Sequence, residues 1–337
     1  MQVGDASTVF WASKSTPGAV ELERDFRLSF NESPKDDPDE GVRAVRSLFK
    51  SVESGAYRDE TDSENADPAR FYVLGLAPNA ARIAIRFFVV ATVEEMAERI
   101  CQHFEDTQIQ KQFPNEPDYL PFFRLLVSTA VKGESKKIQP NLAGDMMRAI
   151  LYGSPYPRTL LMAAVQRTRA EQEVNYPRAS LIKACLNRDL RIRKKRGDKI
   201  GEKEGKELTV ALDTGNESSG YLLGRLFATL EKIQGEAIKG VKATIRDRFY
   251  GAASGTPSVV FPNLMRLTGH HLSKLENEGL RVNRERLLGE IIAGLTDFPA
   301  HLPLEEQGRF AIGYYHQMRY FYTKKENGDE SRPEPEE

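Results

Sequence analysis

The sequence predicts an α+β protein, with a mixed, mostly helical first part around a small antiparallel sheet, followed by an all-α helical bundle. Three observations carry this reading. "RFYVLGLAPNAARIAIRFFVV" holds two β-branched and aromatic runs, Phe71 to Ala77 and Arg82 to Val90, on either side of a Pro78-Asn79 turn, the pattern of a hairpin. Directly after it, "TVEE" sets Thr92 as a helix cap with Glu95 three residues on, and Val93, Met96, Ala97, Ile100 and Phe104 recur at helical spacing. Beyond about Gly220 the chain reads as helix after helix, about five in just over a hundred residues.

The elements follow in order. "STVFWA" near the start alternates polar with apolar residues as a short strand does. Helices are expected over Tyr119 to Val131, Asn141 to Leu151, Arg158 to Glu173 and Pro177 to Arg196, with Gly and Pro punctuating the connections. A charged, glycine-rich bridge, residues 197–219, reads as a linker with one short strand at Leu208 to Leu212. The organisation is therefore a mixed body over 1–196, the linker, a bundle over 220–325 and an acidic tail over 326–337 expected to be disordered. In the bundle, Leu222, Leu226, Thr229, Leu230 and Ile233 share one face of its first helix.

At 337 residues the chain can bury two cores. No run approaches the length of apolar residues a membrane helix needs, and the first residues lack the basic and apolar regions of a signal peptide. The strand-like start, with no opening loop, reads as the interior of a larger protein. Cys101 and Cys185 are too far apart in sequence for a paired-Cys zinc motif or a disulfide framework, which fits a reducing cytoplasm.

The formal net charge of -1 hides segregation. Glu21 to Asp67 carries a net of -7, Arg158 to Lys199 a net of +8, and Tyr221 to Lys325 a net of +5. Such blocks suit a protein that offers a basic surface to a polyanion, although solvated proteins also carry them.

Motifs for catalysis are missing. There is no HExxH, no GxxxxGK[ST] phosphate loop and no GxSxG elbow. His270 and His271 are adjacent, so on a helix they diverge, and one solvated and one half-buried imidazole is expected instead of a metal pair. Asp145 and the carboxylates near Asp118 lack partners at useful spacing. Tyr314, Tyr315, Tyr320 and Tyr322, with Phe310 and Phe321, fit packing on the last helix better than base stacking. No enzyme and no cofactor are indicated.

The positive signal lies around "LRIRKKRG", residues 190–197. In this helix Leu181, Ile182, Cys185, Leu186 and Leu190 form an apolar stripe, while Lys183, Asn187, Arg191 and Lys194 line another face, flanked by Arg188 and Lys195. The preceding helix adds Arg158, Arg167, Arg169 and Gln166. A merely solvated face would interleave acids with cations, but within Pro177 to Arg196 Asp189 is the only one. Cations at helical pitch match backbone phosphates.

Four segments, "VGDASTVFWA", "FYVLGLAPNAARIAIRFF", "YPRTLLMAAVQRTRAEQEVNYPRASLIKACLNR" and "FYGAASGTPSVVFPNLMRLTGHHLSKL", resemble the large subunit of the type I-C CRISPR Cascade, the crRNA-guided complex of bacterial antiviral defence. The resemblance spans nearly the whole chain, but the family's subunit is longer at its amino end, where motif recognition and crRNA 5′-end anchoring reside. It implies that the region after about Gly220 is similar to the small, or belly, subunit, which these systems also make separately. The implied role is a non-catalytic DNA-binding subunit that holds the R-loop, with sequence read by RNA–DNA pairing. The implied partners are crRNA, backbone and small subunits, target duplex, displaced strand and the helicase-nuclease. The alternative is a scaffold whose basic face meets crRNA or neighbouring subunits. Charge and expected exposure nominate Lys232, Lys239, Lys242, Arg246, Arg248, Arg266, Arg284 and Arg286 in the bundle, and Asn79 in the hairpin turn, as further contacts.

Overall fold

The computed structural model describes residues 9–14, 70–79, 82–201, 205–240 and 242–329, and the chain is mostly helical. Three strands, β1 (Val9–Lys14), β2 (Arg70–Asn79) and β3 (Arg82–Thr92), pair antiparallel in the order β1-β2-β3. The β1–β2 register runs from Val9 opposite Leu76 to Lys14 opposite Phe71. The β2–β3 register runs from Arg70 opposite Thr92 to Asn79 opposite Arg82, with a bulge between Gly75 and Leu76. At the end of β3 burial alternates, with Val89 and Ala91 inside and Phe88 and Val90 exposed, so one face of this strand end meets the core.

Strand β3 passes straight into helix α1 (Val93–Thr107). The Thr92 hydroxyl accepts from the Glu95 amide at 3.1 Å and the Glu95 carboxylate accepts from the Thr92 amide at 3.0 Å, a complete capping box. Met96, Ile100 and Phe104 bury the inner face. The helix expected from Tyr119 to Val131 is realised only as α2 (Phe122–Val127). Pro121 disfavours helical geometry at Leu120 before it. At the other end, the Ser128 and Thr129 hydroxyls donate to the carbonyls of Leu125 and Leu126, at 2.6 and 2.7 Å, and compete with continuation of the helix. Two 3₁₀ turns, Val131–Gly133 and Ser135–Lys137, lead to α3 (Leu142–Tyr152).

Helix α4 (Arg158–Glu171) stops two residues short of its expected end, where Gln172 turns into the left-handed region at φ 56°. Helix α5 (Tyr176–Arg196) starts on the Asn175 side chain, which accepts from the Arg178 amide, and ends at Gly197 with φ 77°. It is the centre of the first half, with α1, α2 and α4 packed around it. From Tyr176 to Arg188 most of its side chains are buried on every side, so its apolar stripe is not the whole of its buried surface.

Residues 205–218 form no strand. The backbone of Leu208 is satisfied by a side chain, Asn187, and Val210 accepts one bond from the Gln110 amide at 2.8 Å, so no second strand is available to make a ladder at Leu208–Leu212. The segment is seated on both flanking regions. Leu208, Asn216 and Ser218 are buried, the Lys206 carbonyl accepts from Arg309, and the Tyr221 hydroxyl accepts from the Asp213 amide.

Five helices follow, α6 (Ser219–Ala237), α7 (Ile245–Ala253), α8 (Pro257–Leu272), α9 (Glu278–Ala293) and α10 (Leu304–Asp329). Helix α6 is buried nearly all round from Gly220 to Leu230, with α7, α8, α9 and α10 around it. Phe227, Tyr250, Phe310 and Tyr314 meet with ring centroids 5.5–6.0 Å apart at its centre. Helices α6 and α10 touch backbone to backbone. A Cβ on Gly224 would lie 2.0 Å from the Phe310 carbonyl oxygen, and one on Gly313 would lie 2.1 Å from that of Tyr221. Helix α10 also packs on α4 and α5, where Gly308 faces Leu161, Ile182 and Leu186. One continuous hydrophobic core therefore includes side chains from before and after residues 197–219. Helix α10 continues to Asp329, so residues 326–329 are its last turn, and 330–337 lie outside the described residues. Among the described residues no helix is long and apolar enough to cross a membrane.

Candidate nucleic-acid interface

Lys183, Asn187 and Arg191 share a face of α5 at helical pitch, but that face is turned inward. Lys183 is 3% exposed and donates to the Asp106 carbonyl at 3.1 Å. Burial lowers its ammonium to about 8, against a smaller upward pull from Glu207. Arg188 is equally buried. Its Nε donates to Asp106 Oδ2 at 2.7 Å, and its guanidinium lies 4.3 Å from the centre of the Tyr156 ring. Arg191 pairs with the other Asp106 oxygen and lies 3.6 Å from Glu207.

Asp106, buried at the end of α1, thus neutralises two arginines of α5. Lys183 and Arg188 are corrected from phosphate contacts to core residues, and Arg191 is largely committed. Asp189 is the only acid along α5, and the acids that balance its inward face come from α1 and from residue 207. Next to this cluster His103 Nδ1 meets the Tyr156 hydroxyl at 2.5 Å, and burial, with a lesser push from Arg188, holds the imidazole down at about 3.

Asn187 completes the face. Its amide donates to the Leu208 carbonyl and accepts from the Leu208 amide, both at 2.8 Å, as a paired strand residue would. Replacing it with alanine leaves both backbone groups buried and unpaired, an expected cost of roughly 2–4 kcal/mol. Hydrogen exchange at the Leu208 amide reads this directly, and unchanged protection in Asn187→Ala would show that the segment is held by other means.

Other nominated cations also have partners within the chain. Arg169 donates through Nε and Nη2 to the Gly251 carbonyl at 3.2 and 3.0 Å and through Nη1 to Gln307 at 3.2 Å, which ties α4 to α7 and α10 and corrects its nomination. Arg158 pairs with Glu305 at 3.1 Å and Arg167 with Glu171 at 3.5 Å. Lys232, Arg284 and Arg286 do gather, around a cavity of about 270 Å³ between α6, α9 and α10 that is also lined by Leu287, Tyr320 and Phe321. Glu236 holds Arg284 through two bonds of 2.9 and 2.7 Å and lies 3.8 Å from Lys232. The Arg284 guanidinium also rests 4.8 Å from the centre of the Phe321 ring, so Lys232 and Arg284 belong to the packing of this corner. Arg286 is exposed beside Glu290 at 3.9 Å. Arg246 lies between Glu231 and Asp247.

Six nominated cations are exposed and have no ion-pair partner among the described residues. These are Lys194 and Lys195 at the end of α5, Lys239 and Lys242 between α6 and α7, Arg248 on α7 and Arg266 on α8. The hairpin sets Asn79 opposite Arg82 at the strand ends. His270 is exposed and His271 is buried, and among the described residues no group of three or more His, Cys, Asp or Glu is placed to hold a metal ion. On α10, Phe310, Tyr314, Tyr315 and Phe321 are buried, while Tyr320 and Tyr322 are exposed.

The model of the CRISPR-associated protein family Cas_Csd1 matches residues 1–322. The chain belongs to the Cas_Csd1 family. No curated protein matches it. Cas_Csd1 is the large-subunit family of type I-C systems, and membership of it implies membership of a CRISPR Cascade complex.

The residues that sequence reasoning missed in this Cas_Csd1 chain are the counter-ions: Asp106, Glu231 and Glu236. For Asp106 a signal existed. His103, Asp106 and Thr107 extend the inward stripe of Met96, Ile100 and Phe104, and polar residues on a buried stripe need buried partners.

Proposed function

We propose that this chain is a non-catalytic, DNA-contacting subunit of a type I-C Cascade complex. In this reading it stabilises the R-loop through phosphate contacts to the target and displaced strands and helps to recruit the helicase-nuclease. It works in the cytoplasm beside crRNA-bound backbone subunits and small subunits, with residues 220–325 as a module similar to the small subunit. The observation that carries the reading is the set of exposed cations without acidic partners among the described residues, led by Lys194 and Lys195. A helix dipole favours cations at a carboxy-terminal turn, but it does not require two lysines beside arginines already present there.

The test is target-DNA affinity of the assembled complex across a salt series. Lys194→Glu with Lys195→Glu should weaken binding and flatten the slope of log affinity against log salt by about 0.9 for each phosphate that is no longer neutralised. Unchanged affinity and slope would remove this helix end from the DNA path. Loss of subunit assembly or crRNA retention with DNA binding intact would favour the scaffold role instead.

A further inference from the structure

Lys239 to Arg248, "KGVKATIRDR", turns the corner from α6 into α7. Lys239, Lys242 and Arg248 face solvent without an ion pair among the described residues, but Arg246 does not. Its side chain is 38% exposed. Its Nε is buried, lies 3.9 Å from Glu231 Oε1 and 3.8 Å from Asp247 Oδ1, and forms a hydrogen bond with neither. Charge therefore holds the Arg246 Nε, and the Tyr314 hydroxyl is a further partner of the guanidinium.

The two acids differ. Asp247 is at the surface and already accepts from the Thr244 amide at 2.8 Å in the cap of α7. Glu231 is 12% exposed on α6 and is fixed by the Tyr314 hydroxyl of α10, which donates to Oε2 at 2.7 Å. The ionisable groups around it are Tyr314 on α10 and Arg246, Asp247 and Tyr250 on α7.

We propose that Glu231 is an internal counter-ion that withholds Arg246 from a nucleic-acid backbone while ionised and releases it when neutralised, so that this corner grips a polyanion more strongly at lower pH. The proposal rests on the polyanion-contact reading above. Its sign follows from the groups involved. Burial pushes the Glu231 carboxyl above its ordinary value, the Tyr314 hydroxyl and Arg246 pull it back, and Asp247 pushes it up again. Arginine stays charged throughout, so a fall in pH removes the competing acid and leaves the cation.

The experiment uses the assembled complex and one target duplex, with affinity measured against salt at neutral and mildly acidic pH. Glu231→Gln keeps an acceptor for Tyr314. It should steepen the salt slope by about 0.9 at neutral pH, as neutralising one further phosphate does. It should also remove the part of the pH dependence due to residue 231, and adding Arg246→Gln should cancel both effects. An unchanged slope in Glu231→Gln, or a gain that survives in the double variant, overturns the proposal. If Glu231→Gln fails to assemble, wild type and Arg246→Gln are compared at the two pH values, and an identical pH dependence in both overturns it. The Lys194→Glu, Lys195→Glu variant in the same assay separates the two claims. A flattened slope there with no effect of Glu231→Gln sinks the counter-ion alone, whereas no response in either variant sinks both.

Discussion

Gly224→Ala is expected to abolish stable folding of the α6–α10 pair, and Gly313→Ala to do the same. The added methyl of the first would sit 2.0 Å from the Phe310 carbonyl oxygen and 2.8 Å from the Tyr314 amide nitrogen. Both are backbone atoms of a helix, so no side chain can rotate away, and the helices must separate by over an ångström. Overpacking a core costs about 1–3 kcal/mol where side chains can give, and backbone overlap belongs above that range. The control is Gly289→Ala on α9, where an added Cβ meets nothing within 4 Å. That substitution should stabilise by about 0.5–1 kcal/mol through helix propensity. Thermal or denaturant unfolding of the three variants decides the matter, and similar stabilities for Gly224→Ala and Gly289→Ala would show that the two helices do not approach as described.

Asp106→Ala should lower stability by about 3–5 kcal/mol, because removing one partner leaves Arg188 buried with an uncompensated charge. The Asp106 carboxylate bridges Arg188 and Arg191, so the change disturbs the junction of α1 and α5, while the bond from Lys183 to the backbone carbonyl is retained. Asp145→Ala is the matched comparison. Asp145 is an exposed acid 3.5 Å from Arg148, and such surface pairs contribute about 0–1 kcal/mol. Equal losses in the two variants would mean that the Asp106 cluster is not the buried charge centre its geometry implies. Arg188→Met in the Asp106→Ala background should recover part of the loss, since an apolar side chain needs no counter-ion.

Local signals in the sequence marked most elements well. The Thr92–Glu95 box lies at the observed start of its helix because capping is decided within four residues. Tyr119 to Val131 failed where two local rules competed, apolar periodicity against a proline and a Ser-Thr pair. Leu208–Leu212 failed because a strand is defined by its neighbour, and the neighbour turned out to be the Asn187 side chain. The basic face of α5 misled for a similar reason. Charge balance was judged along one helix, while Asp106 and Glu207 meet it from 82 positions before Arg188 and 16 after Arg191. At the end of that helix Lys194 and Lys195 are exposed, as the one-helix reading expected, whereas the cations in its middle are not.

Helix α10 has two clients. Its Gly313 side lies against Tyr221, while Gly308 fits against Leu161, Ile182 and Leu186, and the Tyr315 hydroxyl donates to the Gln110 carbonyl at 2.7 Å. A polypeptide limited to residues 220–325 would keep the first set of neighbours and lose the second. It would display a bare apolar furrow along its longest helix, with Tyr315 left without its acceptor. Such a fragment would be adhesive by construction, and its solubility would depend on finding a substitute for the two helices it had left behind.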